Sequence, residues 1–167
     1  MEILDLHDQP DRSALLALNN LNARETSLLT MERFDQLVGA AGVALYCSPA
    51  AALLLAFEES DDYDGRHFLW FRGRFDRFIY IDRVIVAASF RRHGLGRLLY
   101  ADVFRRAQQL GCNTIVCEVN VEPPNPSSDQ FHKALGFEEV GRATMENGAK
   151  TVRYLSVALS AGCTAKT

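Results

Sequence analysis

One stretch, Tyr80 to Leu110, limits what this chain can fold into more than any other. A β-branched run, Val84-Ile85-Val86, leads into Arg91-Arg92-His93-Gly94-Leu95-Gly96-Arg97, and that turn leads into a helical pattern. Leu95, Leu99, Val103, Arg106 or Ala107, and Leu110 recur on one helical face, and Gly111 stops the helix. The pattern predicts a strand over Phe78–Ala88 and a helix over Gly94–Leu110. Gly94 and Gly96 stand where the backbone bends and presents its N–H groups. Those groups, at the positive end of a helix dipole, suit a phosphate. Arg91, Arg92 and Arg97 add charge for a polyphosphate. The third glycine and following acid of a dinucleotide fold are absent, and so is the Gly-Lys-Ser/Thr of a P-loop. A plain strand–turn–helix with solvated arginines is the competing reading.

The rest of the chain alternates strands and helices. Glu2–His7 reads as a first strand. Asp11 can cap a helix over Ser13–Ala23, and Thr30 another, with Phe34, Leu37 and Val38 on its apolar face. Two strands follow, Gly42–Cys47 and Ala51–Glu58, joined by Ser48-Pro49. From Glu59 to Arg77 the pattern predicts a turn and then an aromatic loop, His67 to Phe71, among arginines. Thr114–Val119 is a strand, and Glu122 to Pro126 is too proline-rich for helix. Ser127 or Ser128 can open a short helix ending at Leu135, with Gly136 as its cap. Phe137–Arg142 and Thr151–Leu159 are final strands, and Asn147-Gly148 is a hairpin signal between them. The alternation predicts an α/β (α+β) sandwich, a mixed sheet with helices on both faces.

Composition excludes several classes. The 167 residues favour one domain, residues 1–160, with a loose tail over 161–167. Apolar residues make up 48%, enough for a sizeable core and too many for a disordered chain. A net charge of −3 speaks against nucleic acid or anionic membrane as main partner. The arginines around His67–Phe71 could serve single-stranded nucleic acid, but Asp61, Asp62, Asp64 and Asp76 offset them. Leu37–Phe57 carries no charge, yet Ser48-Pro49 divides it, so buried strands fit better than a membrane span. Cys47, Cys112, Cys117 and Cys163 show neither metal nor disulfide spacing. With an acidic start in place of a signal peptide, a cytoplasmic protein with reduced thiols is expected, and no metal.

Two motifs together carry a resemblance. Arg91-x-x-Gly94-x-Gly96 after Val84-Ile85-Val86 resembles the acetyl-coenzyme A signature of the GCN5-related N-acetyltransferase (GNAT) superfamily. Asn125, Ser128, Phe131-His132 and Leu135-Gly136-Phe137 resemble its later motif, in the expected order. The resemblance implies a mostly antiparallel sheet whose central strands splay to admit the cofactor. It implies acetyl transfer from acetyl-CoA to a primary amine of a small molecule or peptide, by direct attack in a ternary complex. It also implies a cofactor site made of Val84, Ile85, Val86, Arg91, Arg92, His93, Gly94, Leu95, Gly96, Arg97, Asn125 and Phe131, and, at family level, a homodimer. A catalytically silent coenzyme A module of the same fold is the alternative.

The chemistry needs a proton acceptor, because a free alkylamine has a pKa near 10. Asp82 is the first candidate, on the central strand at the parity of Tyr80, Val84 and Val86. A strand carboxylate paired with Arg83 is the competing reading, and Tyr80 and Glu118 are weaker candidates. Many relatives place tyrosine as general acid where this chain has His132. A histidine there could serve the departing thiolate, or merely pack. The Asn20–Ser27 link, with Glu25, and Trp70 and Phe71 are expected at the acceptor's mouth.

Overall fold

The computed structural model describes residues 1–145 and 148–160. The hairpin signal at Asn147, together with Cys163 and the tail over 161–167, lies outside the described residues. The strands are β1 (Ile3–Asp5), β2 (Val43–Cys47), β3 (Ala52–Glu58), β4 (Ile79–Val86), β5 (Thr114–Glu122), β6 (Glu138–Thr144) and β7 (Thr151–Ala158). The helices are α1 (Ser13–Leu21), α2 (Met31–Ala40), α3 (Arg66–Arg72), α4 (Leu95–Gln109) and α5 (Pro126–Ala134). They build one seven-stranded sheet of order β1-β2-β3-β4-β5-β7-β6. Every neighbouring pair is antiparallel except β4 and β5.

β3 shows how the sheet divides two cores. It is buried on both faces, as a strand covered by helices must be. Ala52, Leu54 and Ala56 face the core beneath α4, with Leu95, Leu99 and Val103. Leu53, Leu55 and Phe57 face the other core, beneath α1, α2 and α3, with Leu18, Phe34, Leu37 and Phe71. Burying each such leucine contributes about 1.5–3 kcal/mol. Leu110, expected on the α4 stripe, caps the helix and is exposed.

β4 and β5 pair only at Ile79–Ile115 and Tyr80–Val116. Beyond that point the strands diverge, and the expected splay is present. The opening lies toward Val86, beside the start of α4.

Local rules explain most boundaries. Thr30 Oγ1 accepts from the Arg33 N–H at 3.2 Å, the predicted cap. Asp11 does not occupy the cap position of α1; its carboxylate accepts from the Ser13 N–H at 3.0 Å, one residue before the expected geometry. α5 starts earlier than predicted. Asn125 Oδ1 accepts from the Ser128 N–H at 3.2 Å, and Pro126 sits in the first turn, where its missing N–H loses nothing. The predicted loop over His67–Phe71 is the helix α3, because Phe68 and Phe71, three apart, bury one face.

The β3–β4 register jumps from Leu55↔Arg83 to Ala56↔Ile81, which leaves Asp82 without a partner. This bulge overturns the expected parity. Tyr80 lies in the core beneath α1–α3, whereas Val84 and Val86 pack against the core beneath α4.

Candidate active site

A cavity of about 650 Å³ opens where β4 ends and α4 begins. Val84, Ile85, Val86, Arg91, Arg92, Gly94, Leu95, Gly96, Arg97, Asn125, Phe131 and His132 line it. His93 does not; its Nδ1 turns back to the Arg91 carbonyl at 2.8 Å. Gly94 is the N-cap of α4 at φ +80°, and no side chain caps this helix. The first-turn N–H groups are therefore presented to the cavity rather than to a capping oxygen. Gly96 is constrained differently. A Cβ there would meet Phe131 Cε2 at 3.3 Å, so the glycine lets α4 and α5 close on each other.

The arginines divide their work. Arg91 donates from Nε to the Val86 carbonyl at 3.2 Å and from Nη2 to Asn22 Oδ1 at 3.1 Å. It staples the link between α1 and α2 to the end of β4. Arg92 and Arg97 are exposed at the rim. Uncapped N–H groups, three guanidinium groups and an apolar wall from Val84 to Val86 suit a long ligand with a polyphosphate at one end. Those residues fit coenzyme A.

A second cavity, about 90 Å³, lies in the gap between β4 and β5. Glu25, Thr26, Val84, Asn125, Ser128 and His132 line both cavities, so the two adjoin. The inner one also has Asp82, Arg83, Tyr100, Cys117 and Glu118 in its wall.

Asp82 is heavily engaged. Its Oδ1 accepts from Tyr63 Oη at 2.7 Å and more distantly from Tyr80 Oη at 3.4 Å, and its Oδ2 accepts from Arg83 Nε at 2.8 Å. Both side chains of the pair are nearly buried, at 6% exposure for Arg83 and 7% for Asp82. Arg83 Nη1 donates to Asn19 Oδ1 at 2.8 Å, and Asn19 Nδ2 donates to the Ser27 carbonyl at 2.9 Å. The ion pair thus fixes the link between α1 and α2.

Glu118 is placed otherwise. Its Oε2 is buried and has no hydrogen-bond partner among the described residues. Burial, and secondarily the charge of Asp82, push its carboxyl up to about 8, while the Tyr80 hydroxyl favours its charged form. A carboxylate so poised in a cleft is suited to proton exchange with a ligand.

His132 is buried, with both ring nitrogens engaged. Nδ1 lies 2.8 Å from the Ser128 carbonyl and Nε2 lies 2.7 Å from Tyr100 Oη. A carbonyl only accepts, so Nδ1 holds the hydrogen and Nε2 accepts from Tyr100. Burial lowers its pKa. A neutral, doubly engaged ring has no proton ready to give, which runs against the acid role.

The acceptor side differs from expectation in two residues. Phe71 is wholly buried in the core. Trp70 stacks on Tyr154, centroids 4.0 Å apart, beneath the Arg74 guanidinium. Neither lines either of these two cavities, because the helical turn of α3 directs one inward and the other onto β7. Glu25 does line both. Asn22 and Thr26, of the Asn20–Ser27 link, line the larger cavity beside Glu25, whereas nothing in the sequence singled out Tyr63 or Tyr100. Glu118 was signalled as a lone carboxylate between Cys117 and Val119, whereas Tyr100 reads as one more apolar step in a helix.

Residues 5–137 match the model of the Acetyltransferase (GNAT) family. Among curated proteins, the chain is similar to the aminoglycoside N(6')-acetyltransferase type 1 of Salmonella typhimurium, 34% identical over 64 residues. That match covers 38% of this chain and 43% of the relative, less than half of each. Among solved structures, the ribosomal-protein-S18-alanine N-acetyltransferase of Escherichia coli is similar at TM-score 0.67 and 16% identity, covering 99% of this chain and 98% of that one. An aminoglycoside 6'-N-acetyltransferase complexed with coenzyme A is similar at TM-score 0.70 and 14% identity, covering 95% and 97%.

Proposed function

Because the chain belongs to the acetyltransferase (GNAT) family, we propose that it is an acetyl-CoA-dependent N-acetyltransferase acting on a cationic primary amine. One observation carries the acceptor's class: the inner cavity, walled by Glu118, Asp82 and Glu25, adjoins the arginine-rimmed cavity at the point where β4 and β5 part. A cavity with that wall draws an ammonium group. The small-molecule and peptide amines named for its relatives both satisfy this.

Acetyl-CoA, when bound, supplies the acyl group as an activated thioester. The first-turn N–H groups of α4 hold its phosphates, helped by Arg92 and Arg97. Past Tyr80, the β4 edge facing β5 has no strand partner, so its backbone donors are free to orient a carbonyl. Glu118 takes the proton that an amine must lose before it can attack. Asp82 is too fully engaged for that task, and His132 holds Tyr100 in place.

The sign of the pH dependence follows. Glu118 acts as a base only when ionised, so its active fraction rises as pH rises through about 8. The test is thiol release from acetyl-CoA across a panel of amines, with Glu118→Gln beside the parent. We expect turnover by the parent and a loss of about 10²–10⁴-fold in the variant, with the limb near pH 8 gone. Full activity in Glu118→Gln removes this assignment. Coenzyme A binding without turnover of any amine would favour the silent module.

A further inference from the structure

We propose that Arg83 and Arg91 are positioning residues for the amine acceptor: each anchors one end of the turn over residues 22–27 to β4, and together they hold Glu25 in the wall that the two cavities share. The inference rests on the amine being drawn to that wall.

The turn is shaped from within. The Asn22 carbonyl accepts from the Glu25 N–H at 3.1 Å and from the Thr26 N–H at 3.2 Å. Thr26 Oγ1 donates to the same carbonyl at 3.1 Å. Asn20 closes the base: its Oδ1 accepts from the Leu29 N–H at 3.0 Å, and its Nδ2 donates to the Leu29 carbonyl at 2.9 Å. These bonds fix the turn's own shape. None of them reaches β4, so none of them fixes where the turn lies against the sheet.

The arginines supply that. At the start of the turn, Arg91 Nη2 donates to Asn22 Oδ1 at 3.1 Å, while Arg91 Nε donates to the Val86 carbonyl at the end of β4 at 3.2 Å. At its finish, Arg83 Nη1 donates to Asn19 Oδ1 at 2.8 Å, and Asn19 Nδ2 donates onward to the Ser27 carbonyl at 2.9 Å. Glu25 and Thr26 lie between these anchors and line both cavities. With both ends held, the turn cannot carry the Glu25 carboxylate away from the cavity mouth without breaking a bond to β4.

The residue type fits the task. Arg83 itself lies in the wall of the inner cavity, where a bare cation would repel an ammonium group. Its bond to Asp82 Oδ2 at 2.8 Å offsets that charge, and the planar fork still has a second donor for Asn19. Arg91 divides its fork in the same way, between Val86 and Asn22. A lysine keeps the charge in either place but offers its donors from one point, so it cannot hold both partners in this geometry.

The test compares the parent with Arg83→Lys, Arg91→Lys, Glu25→Gln, and each arginine variant combined with Glu25→Gln. Rates are measured with spermidine, kanamycin and an alanine-led peptide at saturating acetyl-CoA, and coenzyme A affinity by calorimetry. Each arginine variant should raise the KM of the best of these acceptors about tenfold. Both kcat and the Kd of coenzyme A should change less than about threefold, since only the amine's placement is lost. Glu25→Gln should raise the same KM, and in that background the arginine substitutions should add little, because they act through Glu25. Loosened packing alone would lower kcat and cofactor affinity together and would add to Glu25→Gln. Arg91 is exposed, so Arg91→Lys decides by itself if Arg83→Lys fails to fold. An unmoved acceptor KM, or a rise that persists in full beside Glu25→Gln, overturns the positioning roles and leaves the proposed function standing. A coenzyme A Kd that rises as far as the acceptor KM makes Arg91 a phosphate ligand and overturns its role here. A parent that turns over none of the three amines removes the proposed function and this inference with it.

Discussion

Gly94 offers a clean perturbation, because its two constraints can be separated. It sits at φ +80°, ψ 2°, and a Cβ built there meets nothing within 4 Å. Gly94→Ala therefore adds no clash with the protein and only forces an L-residue into the left-handed region. That conformation costs about 1–2 kcal/mol. If the free protein keeps the turn, the penalty falls on stability, about 2–4 °C of Tm for each kcal/mol in a chain of this size. If the turn relaxes when free, the penalty falls on binding. It then weakens coenzyme A by roughly 5- to 30-fold, since 1.4 kcal/mol is tenfold. Calorimetry with coenzyme A, with pantetheine as the phosphate-free control, and a thermal melt measure both. The two losses should sum to about 1–2 kcal/mol, with pantetheine little affected. A variant equal to the parent in both assays refutes the argument that the turn's geometry holds the phosphates.

Two further outcomes follow from the buried network. His132→Phe should lower kcat less than about tenfold and leave the limb near pH 8 in place, because the ring is neutral and engaged by Tyr100 and Ser128; a thousandfold loss in kcat would return it to the acid role. Asn19→Ala should destabilise the protein by about 1–3 kcal/mol in denaturant melts, because it strips a partner from the buried Arg83 guanidinium and frees the Ser27 carbonyl; an unchanged midpoint would mean that water replaces the amide at no cost.

The fold was legible wherever a local rule was strong. The strand–turn–helix over Tyr80–Leu110 and the Thr30 cap follow from periodicity and hydrogen-bond chemistry between near neighbours. Most residues that line the larger cavity were legible for the same reason, since they lie on one continuous segment. The acceptor side was not. Phe68 and Phe71 look like loop aromatics until they are read three apart, and nothing in the sequence shows that the Trp70 ring lies on Tyr154. The choice between Asp82 and Glu118 was beyond the sequence. It turns on a single bulged residue, which reverses side-chain direction, and on Tyr63 reaching across from 19 positions away. Period-2 parity cannot anticipate an inserted residue.

The brief pairing of β4 with β5 has a mechanical meaning. Two residue pairs, Ile79–Ile115 and Tyr80–Val116, are the whole seam between a half-sheet of β1 to β4 and a half-sheet of β5, β7 and β6. Within each half, the strands are zipped along most of their length. The backbone ladder therefore resists bending least at the seam near Tyr80, where α4 and the two cores, rather than strand bonds, hold the two leaves of the sheet together. A molecule seated in the gap works as a wedge, bearing on both leaves at once. The same opening that lets reactants meet between the leaves is the part of the sheet with the least backbone bonding to resist it.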